Sequence, residues 1–82
     1  MITAVLATID ELIQKNALAI MRCQRRCQEL IRVEKRWEIN QRPELCAKAG
    51  AKFKMNQAAE KLLEDLQSHL TETREAIQAL EE

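Results

Sequence analysis

Apolar residues recur at alternating steps of four and three through the first half of the chain. Only two of these positions carry a polar side chain, Asn16 and Glu34, and the stripe on the opposite side, from Thr8 to Arg36, is polar apart from Leu18. Such spacing is typical of a helix that packs one face against another helix. It predicts a first helix over about residues 3–40. The positions of this seam are Ile2, Leu6, Ile9, Ile13, Asn16, Ile20, Cys23, Cys27, Leu30, Glu34 and Trp37.

The first helix has an alternative predicted start near Thr8. Thr8 and Glu11 have the spacing of a capping box, in which a threonine side chain and a glutamate three residues later satisfy free N–H groups. A helix that begins at this point would leave the preceding residues frayed.

A second helix is predicted after the single proline. Pro43 lacks an N–H and disfavours helical backbone before it, so residues 41–43 form a turn. Pro43 itself suits the first turn of the next helix, expected over about residues 43–80. Gly50 costs about 1 kcal/mol in a helix interior and predicts an irregularity near it. The four-three pattern then returns at Ala59, Leu63, Leu66, Leu70, Thr73, Ile77 and Leu80.

Two helices joined by so short a turn fold back on each other. With the fold point near residue 41, Leu30 pairs with Phe53 and Ile20 with Leu63. The sequence therefore predicts a single all-α domain over residues 1–82: an antiparallel, coiled-coil-like helical hairpin.

Assembly into a four-helix bundle is also expected, because a lone hairpin buries one stripe of each helix and leaves further apolar residues in water. Those surplus residues are Val5, Leu12, Ala19, Ile31, Val33, Ile39, Met55 and Leu62.

The amino-acid composition supports a helical fold and bears on where the protein is expected to be located. Apolar residues make up 46% and charged residues 32%, with one Gly, one Pro and no Tyr, a profile of long helices rather than sheets. No apolar run approaches the roughly 18 residues that span a bilayer, and no secretory signal is visible, so a cytoplasmic protein without a membrane span is expected.

The net charge of zero hides an uneven distribution. Residues 12–54 carry eleven Lys/Arg against four acidic residues, whereas residues 55–82 carry two against seven and residues 1–11 add two acidic residues. Such a division favours antiparallel self-association of unlike segments, or a partner with a charged face.

The two cysteines of the segment MRCQRRCQEL raise the question of a metal or redox site. Cys23 and Cys27 share one helix face in the seam, where cysteine behaves as a small hydrophobic residue. A zinc site needs further ligands, and mirror pairing places Cys46 and His69 far from this pair in opposite directions along the hairpin. Packing is therefore the favoured interpretation, and no metal or cofactor is expected. No catalytic pairing or phosphate-binding loop is visible either, so an enzyme is not expected.

The sequence favours a protein–protein interaction module, an adaptor, assembly subunit or small chaperone, that binds a second copy or a different protein through apolar helix faces. Asn16 is the candidate for a buried amide that fixes register, with a water-exposed position as the alternative. The residues expected at the interface are Ile9, Ile13, Ile20, Leu30, Trp37, Phe53, Leu63, Leu66, Leu70 and Ile77.

Nucleic-acid binding is the second class of function. Five arginines form a basic ridge along the first helix: Arg22, Arg25, Arg26, Arg32 and Arg36. A ridge of this kind can follow phosphates. Against it, Glu29 lies among the arginines and no aromatic residue accompanies them, so a solvated face with internal ion pairs is favoured over a nucleic-acid partner.

Overall fold

Two long helices form nearly all of the chain in the computed structural model, which describes residues 1–81. Helix α1 spans Ile2–Ile39 and helix α2 spans Pro43–Glu81. They pack against each other as a hairpin 62 Å long and 14 × 13 Å across, without a strand in the described residues. The predicted all-α hairpin is thus confirmed.

The first helix starts at Ile2 and not at the alternative site near Thr8. The Thr8 hydroxyl donates a hydrogen bond of 3.0 Å to the carbonyl oxygen of Ala4, one turn earlier in the same helix. Its side chain is therefore satisfied inside α1 and does not cap a helix end. The alternative start is wrong, because the apolar residues before Thr8 continue the face that packs against α2.

The turn is closed by backbone hydrogen bonds at the end of α1. The Arg42 N–H donates to the Trp37 carbonyl at 2.9 Å, and the Gln41 N–H donates to the Glu38 carbonyl at 3.1 Å. Gln41 has a φ of 56°, in the left-handed region. This pairing is the Schellman arrangement, with glutamine at the position where glycine is most common. Pro43 then opens α2, as its fixed φ and missing N–H favour.

Helix α2 continues through Gly50, so the irregularity expected there does not occur. A Cβ atom on Gly50 would lie 3.6 Å from the Glu34 Oε1 atom, an ordinary contact distance. A small side chain would therefore fit beside the Glu34 carboxylate of α1, and the packing does not require glycine here. The cost of glycine is small enough for the surrounding helix and its packing on α1 to offset it.

Burial along α1 follows the predicted seam. Every seam position from Ile2 to Trp37 is buried or half-buried, including the polar Asn16 and Glu34. Even so, only four described residues in the whole hairpin are less than 9% exposed: Ile9, Asn16, Leu30 and Ala49. The hairpin therefore has a line of contact between two helices and no sealed core.

Helix α2 is rotated relative to the prediction. Leu63, Leu70 and Ile77 face α1 as expected, but Leu66, Thr73 and Leu80 are exposed. The side chains of Gln67 and Arg74 take the inward places because they hydrogen-bond groups of α1. The positions of α2 that face α1 are Cys46, Ala49, Phe53, Asn56, Glu60, Leu63, Gln67, Leu70, Arg74 and Ile77.

Candidate interaction surface

Amide side chains bridge the two helices near the middle of the hairpin. The Asn16 Nδ2 atom donates to the Leu63 carbonyl at 2.8 Å and to Gln67 Oε1 at 2.7 Å. Gln67 Nε2 donates in turn to the Ile13 carbonyl at 3.3 Å. Each amide thus reaches the backbone of the facing helix. Because these bonds exist only at one alignment of α1 and α2, they favour a single register.

A third amide lies beside the two cysteines. The Asn56 Nδ2 atom donates to the Cys23 carbonyl at 2.7 Å and lies 3.1 Å from Cys27 Sγ. Both thiols are free and half-buried between the helices. Their surroundings are those of packing residues, and the contact of Asn56 with Cys27 follows the same mirror pairing as Leu30 with Phe53.

An ion pair joins the helices nearer the open end of the hairpin. Arg74 of α2 donates to the Asp10 carboxylate through two nitrogens, with Nη2 3.4 Å from Oδ2, and its Nη1 donates to Gln78 Oε1 at 2.7 Å. The hydrogen bond to Asp10 and the charge of that carboxylate raise the pKa of the Arg74 guanidinium above its already high ordinary value. Arg74 is therefore charged at any physiological pH.

The register-setting role of the central amides leads to a testable prediction. Replacing both Asn16 and Gln67 by leucine is expected to stabilise the protein by about 1–2 kcal/mol and to loosen its register, since apolar pairs tolerate several alignments. Urea unfolding measures the first effect. The second is measured as a broader distance distribution between spin labels at Lys15 and Glu72. The control is Gln14→Leu, which adds a leucine at an exposed position. A distribution as narrow as that of the unchanged protein would contradict the role.

Most residues predicted for a partner interface lie inside the hairpin. Nine of the ten are buried or half-buried between α1 and α2, and the exception is Leu66, which is exposed. These side chains therefore pack α1 against α2 within one chain. Their part in binding a second chain stays a prediction.

A separate set of apolar side chains lies along one side of the hairpin. In α1 these residues follow one another at steps of seven from Val5, interrupted by Arg26. In α2 they recur at steps of seven from Leu45 and from Met55, interrupted by Lys52, His69 and Thr73. We call this set the apolar flank: the exposed Val5, Leu12, Leu45, Met55, Leu62, Leu66 and Leu80 and the half-buried Ala19, Val33 and Ala59.

Shared grooves show that the two helices contribute to the same side. One groove is lined by Arg26 and Leu30 of α1 together with Met55 and Ala59 of α2. A second groove, nearer the turn, is lined by Val33 of α1 and by residues of α2 that include Leu45, Lys48 and Lys52. In the turn half, the series from both helices therefore border the same side of the hairpin.

The opposite side of the hairpin has two grooves, and polar side chains line both of them. Its groove in the open half is lined by Ile20 of α1 and by polar residues of α2. The groove beside the turn is about 640 Å³ and contains charged side chains. These include Glu34, Glu38, Arg42 and Lys54. The turn groove also contains Trp37, Pro43 and Cys46. The distinguishing feature of the apolar flank is that five of the six exposed leucines of the described residues lie on it, Leu18 being the sixth.

The exposed surface is large for a chain of this mass. The accessible surface is 6552 Å², whereas a compact 9.5 kDa monomer exposes about 5,000 Å². The radius of gyration is 18.4 Å, compared with about 12 Å for a compact domain of this length. On the apolar flank Met55, Leu62 and Leu80 are 70–78% exposed. The two-helix hairpin therefore leaves more apolar side-chain surface in water than a compact domain of the same mass would.

No family model, curated protein or solved structure matches this chain. The apolar flank must therefore be interpreted from its own geometry and charge.

The third cysteine lies beside the turn. Partial burial, and then the nearby carboxylates of Glu34 and Glu38, raise the pKa of the Cys46 thiol above its ordinary value. A thiol held in its protonated form is a weak nucleophile and a weak metal ligand. Within residues 1–81, no group of three or more His, Cys, Asp or Glu side chains converges as a metal site would require.

The basic ridge is exposed along the outer face of α1. Arg26 pairs with Glu29 at 3.2 Å, and both side chains are about half exposed. In the part of the chain that the structure describes, the other four arginines have no carboxylate within 4.0 Å. Of the internal ion pairs expected for the five arginines of the ridge, one therefore forms in the described residues.

Neither helix of the described chain has an apolar stretch long enough to cross a lipid bilayer.

Proposed function

We propose that the chain is a protein–protein interaction module that binds its partner through the apolar flank. The observation that carries the proposal is the concentration of exposed Val, Leu and Met side chains on one side of a hairpin that has almost no buried core. Covering this strip removes apolar surface from water, which is the main favourable term in most protein association. The internal bonds of the amides and of Arg74 hold the two helices in one alignment, so the strip is presented as a fixed surface.

The role that fits is an adaptor, an assembly subunit or a small chaperone. In each of these roles, a helical surface binds another protein and no reaction is catalysed. The hairpin then acts as a coiled-coil-like half of a four-helix bundle, with the partner supplying the other half.

Photo-crosslinking tests which surface is covered. A photoreactive amino acid placed at Leu62, on the apolar flank, is expected to give protein adducts in intact cells. The same group at Leu18, on the outer face of α1, is the control because Leu18 is also mostly exposed and lies at a similar height along the hairpin. Adducts that form mainly from position 18, or adducts from neither site, would contradict the proposal.

Nucleic-acid binding remains a second candidate because four arginines of the basic ridge are exposed and have no ion pair in the described residues. Its test is fluorescence anisotropy with mixed RNA and DNA oligonucleotides at two salt concentrations, using the unchanged protein and a variant with Arg22, Arg25 and Arg32 changed to glutamate. Tight binding that falls steeply with salt and is lost in the variant would support this function, since it indicates release of counterions from several phosphates. Weak binding that the variant retains would exclude the basic ridge as a nucleic-acid site.

A further inference from the structure

The hairpin is divided into two halves of opposite charge. The turn half, residues 21–62, carries eleven Lys/Arg against five Asp/Glu, a net charge of +6. The open half, residues 1–20 and 63–81, carries two Lys/Arg against seven Asp/Glu, a net charge of −5. The sequence alone suggests a division between two chain segments, but folding combines the ends of both helices into one acidic half and their central segments into one basic half.

The apolar flank crosses both halves of the hairpin. In the turn half, Arg26, Lys48 and Lys52 line the same grooves as its apolar residues. In the open half, the exposed Asp65 stands between Leu62 and Leu66 in the sequence, whereas Glu72 lines the groove on the opposite side. The turn end of the strip is therefore bordered by cations, and its open end lies in the half of the hairpin that has the excess of carboxylates.

The hairpin exposes enough surface for one interface with a further hairpin. The accessible surface exceeds that of a compact monomer by about 1,500 Å², and a stable interface of standard size buries about 800 Å² on each partner. The apolar flank runs almost the whole length of the 62 Å hairpin, so a partner of equal length is needed to cover it. A second copy has that length and the complementary distribution of charge.

We propose that the occupant of the apolar flank is a second copy of the chain, related by a two-fold axis perpendicular to the long axis of the hairpin. In this arrangement the basic turn half of each copy lies against the acidic open half of the other. A two-fold axis along the hairpin would instead place like charges together at both ends, which disfavours that orientation. The inference rests on the proposed function, because it names the partner at the same surface.

Two measurements on the full chain test the arrangement. Sedimentation equilibrium at micromolar concentration is expected to give twice the chain mass of 9.5 kDa. For the orientation, a spin label is attached at the exposed Asn40 through an unnatural amino acid, so that the three cysteines are retained. In the antiparallel dimer the two labels lie at opposite ends, about 60 Å apart, since each is about 20 residues of helix from the axis. A label at the exposed Met21, near the axis, is the control and should give a short distance.

The outcomes separate this inference from the proposed function. A dimer with short distances between the labels at Asn40 would overturn the antiparallel orientation. A folded monomer would show that a second copy of the chain does not cover the apolar flank. If that monomer still crosslinks to a different protein from position 62, the interaction function survives and only the identity of the partner is wrong. If the chain is monomeric and position 62 gives no protein adduct, both proposals fail.

Discussion

Replacing Leu66 by aspartate is expected to weaken association through the apolar flank by at least about 100-fold, because it places an unpaired carboxylate where apolar surface is buried. In the isolated hairpin Leu66 is 46% exposed and does not face α1. The helices themselves should therefore still form. Helical content by circular dichroism is expected to stay close to that of the unchanged protein, while the dissociation constant rises.

The matched control is Leu18→Asp. Leu18 is 52% exposed, similar to Leu66, and lies on the outer face of α1 away from the apolar flank. Its replacement is expected to change the affinity by less than about threefold, as for surface positions outside an interface. Sedimentation equilibrium measures self-association, and calorimetric titration measures binding to any other protein identified by crosslinking. A larger loss for Leu18→Asp than for Leu66→Asp would place the interface on the outer face of α1.

The hairpin is expected to lose about 2–4 kcal/mol of stability when Leu30 is replaced by alanine. Leu30 is 3% exposed, the lowest value among the buried residues of the described chain, and it packs between the helices in the turn half. Few other residues are buried, so little remains to compensate for the cavity. Because a small domain has a total stability of only several kcal/mol, this single change should come close to unfolding the protein.

Ile31→Ala is the control for this second prediction. Ile31 is adjacent to Leu30 in the sequence but 41% exposed, and it is not part of the apolar flank. Its replacement should cost less than about 1 kcal/mol. Urea unfolding followed by circular dichroism measures both variants, at one protein concentration because association contributes to apparent stability. Equal losses for the two variants would show that the packing line of α1 has been assigned to the wrong face.

The central amides are a feature of the packing that the period of apolar residues in α2 does not predict. The apolar pattern of α2 selected Leu66 for the inner face, yet the structure places Gln67 there, with bonds to Asn16 and Ile13. A hydropathy pattern ranks a leucine above a glutamine at a buried position. The pattern does not show whether the facing helix offers a hydrogen-bond acceptor, and a buried amide is favourable only when it has such a partner.

The basic ridge and the cysteines illustrate a second limit. Sequence placed Cys23 and Cys27 on one face of α1, and the structure keeps them half-buried between the helices. The expected ion pairs along the ridge were mostly not found, because formation of a surface ion pair depends on side-chain geometry and not on the presence of both charges in one helix.

The sequence by itself determined the two helices, the turn before Pro43, the seam of α1 and the pairing of the two helices about that turn. These features follow from local rules: the helical period, the missing N–H of proline and the short connection. The tertiary structure decided the rotation of α2, the amide bonds across the hairpin, and the gathering of exposed apolar residues from both helices into one flank. Those depend on which side chains face each other across the chain, and spacing within one helix does not contain that information.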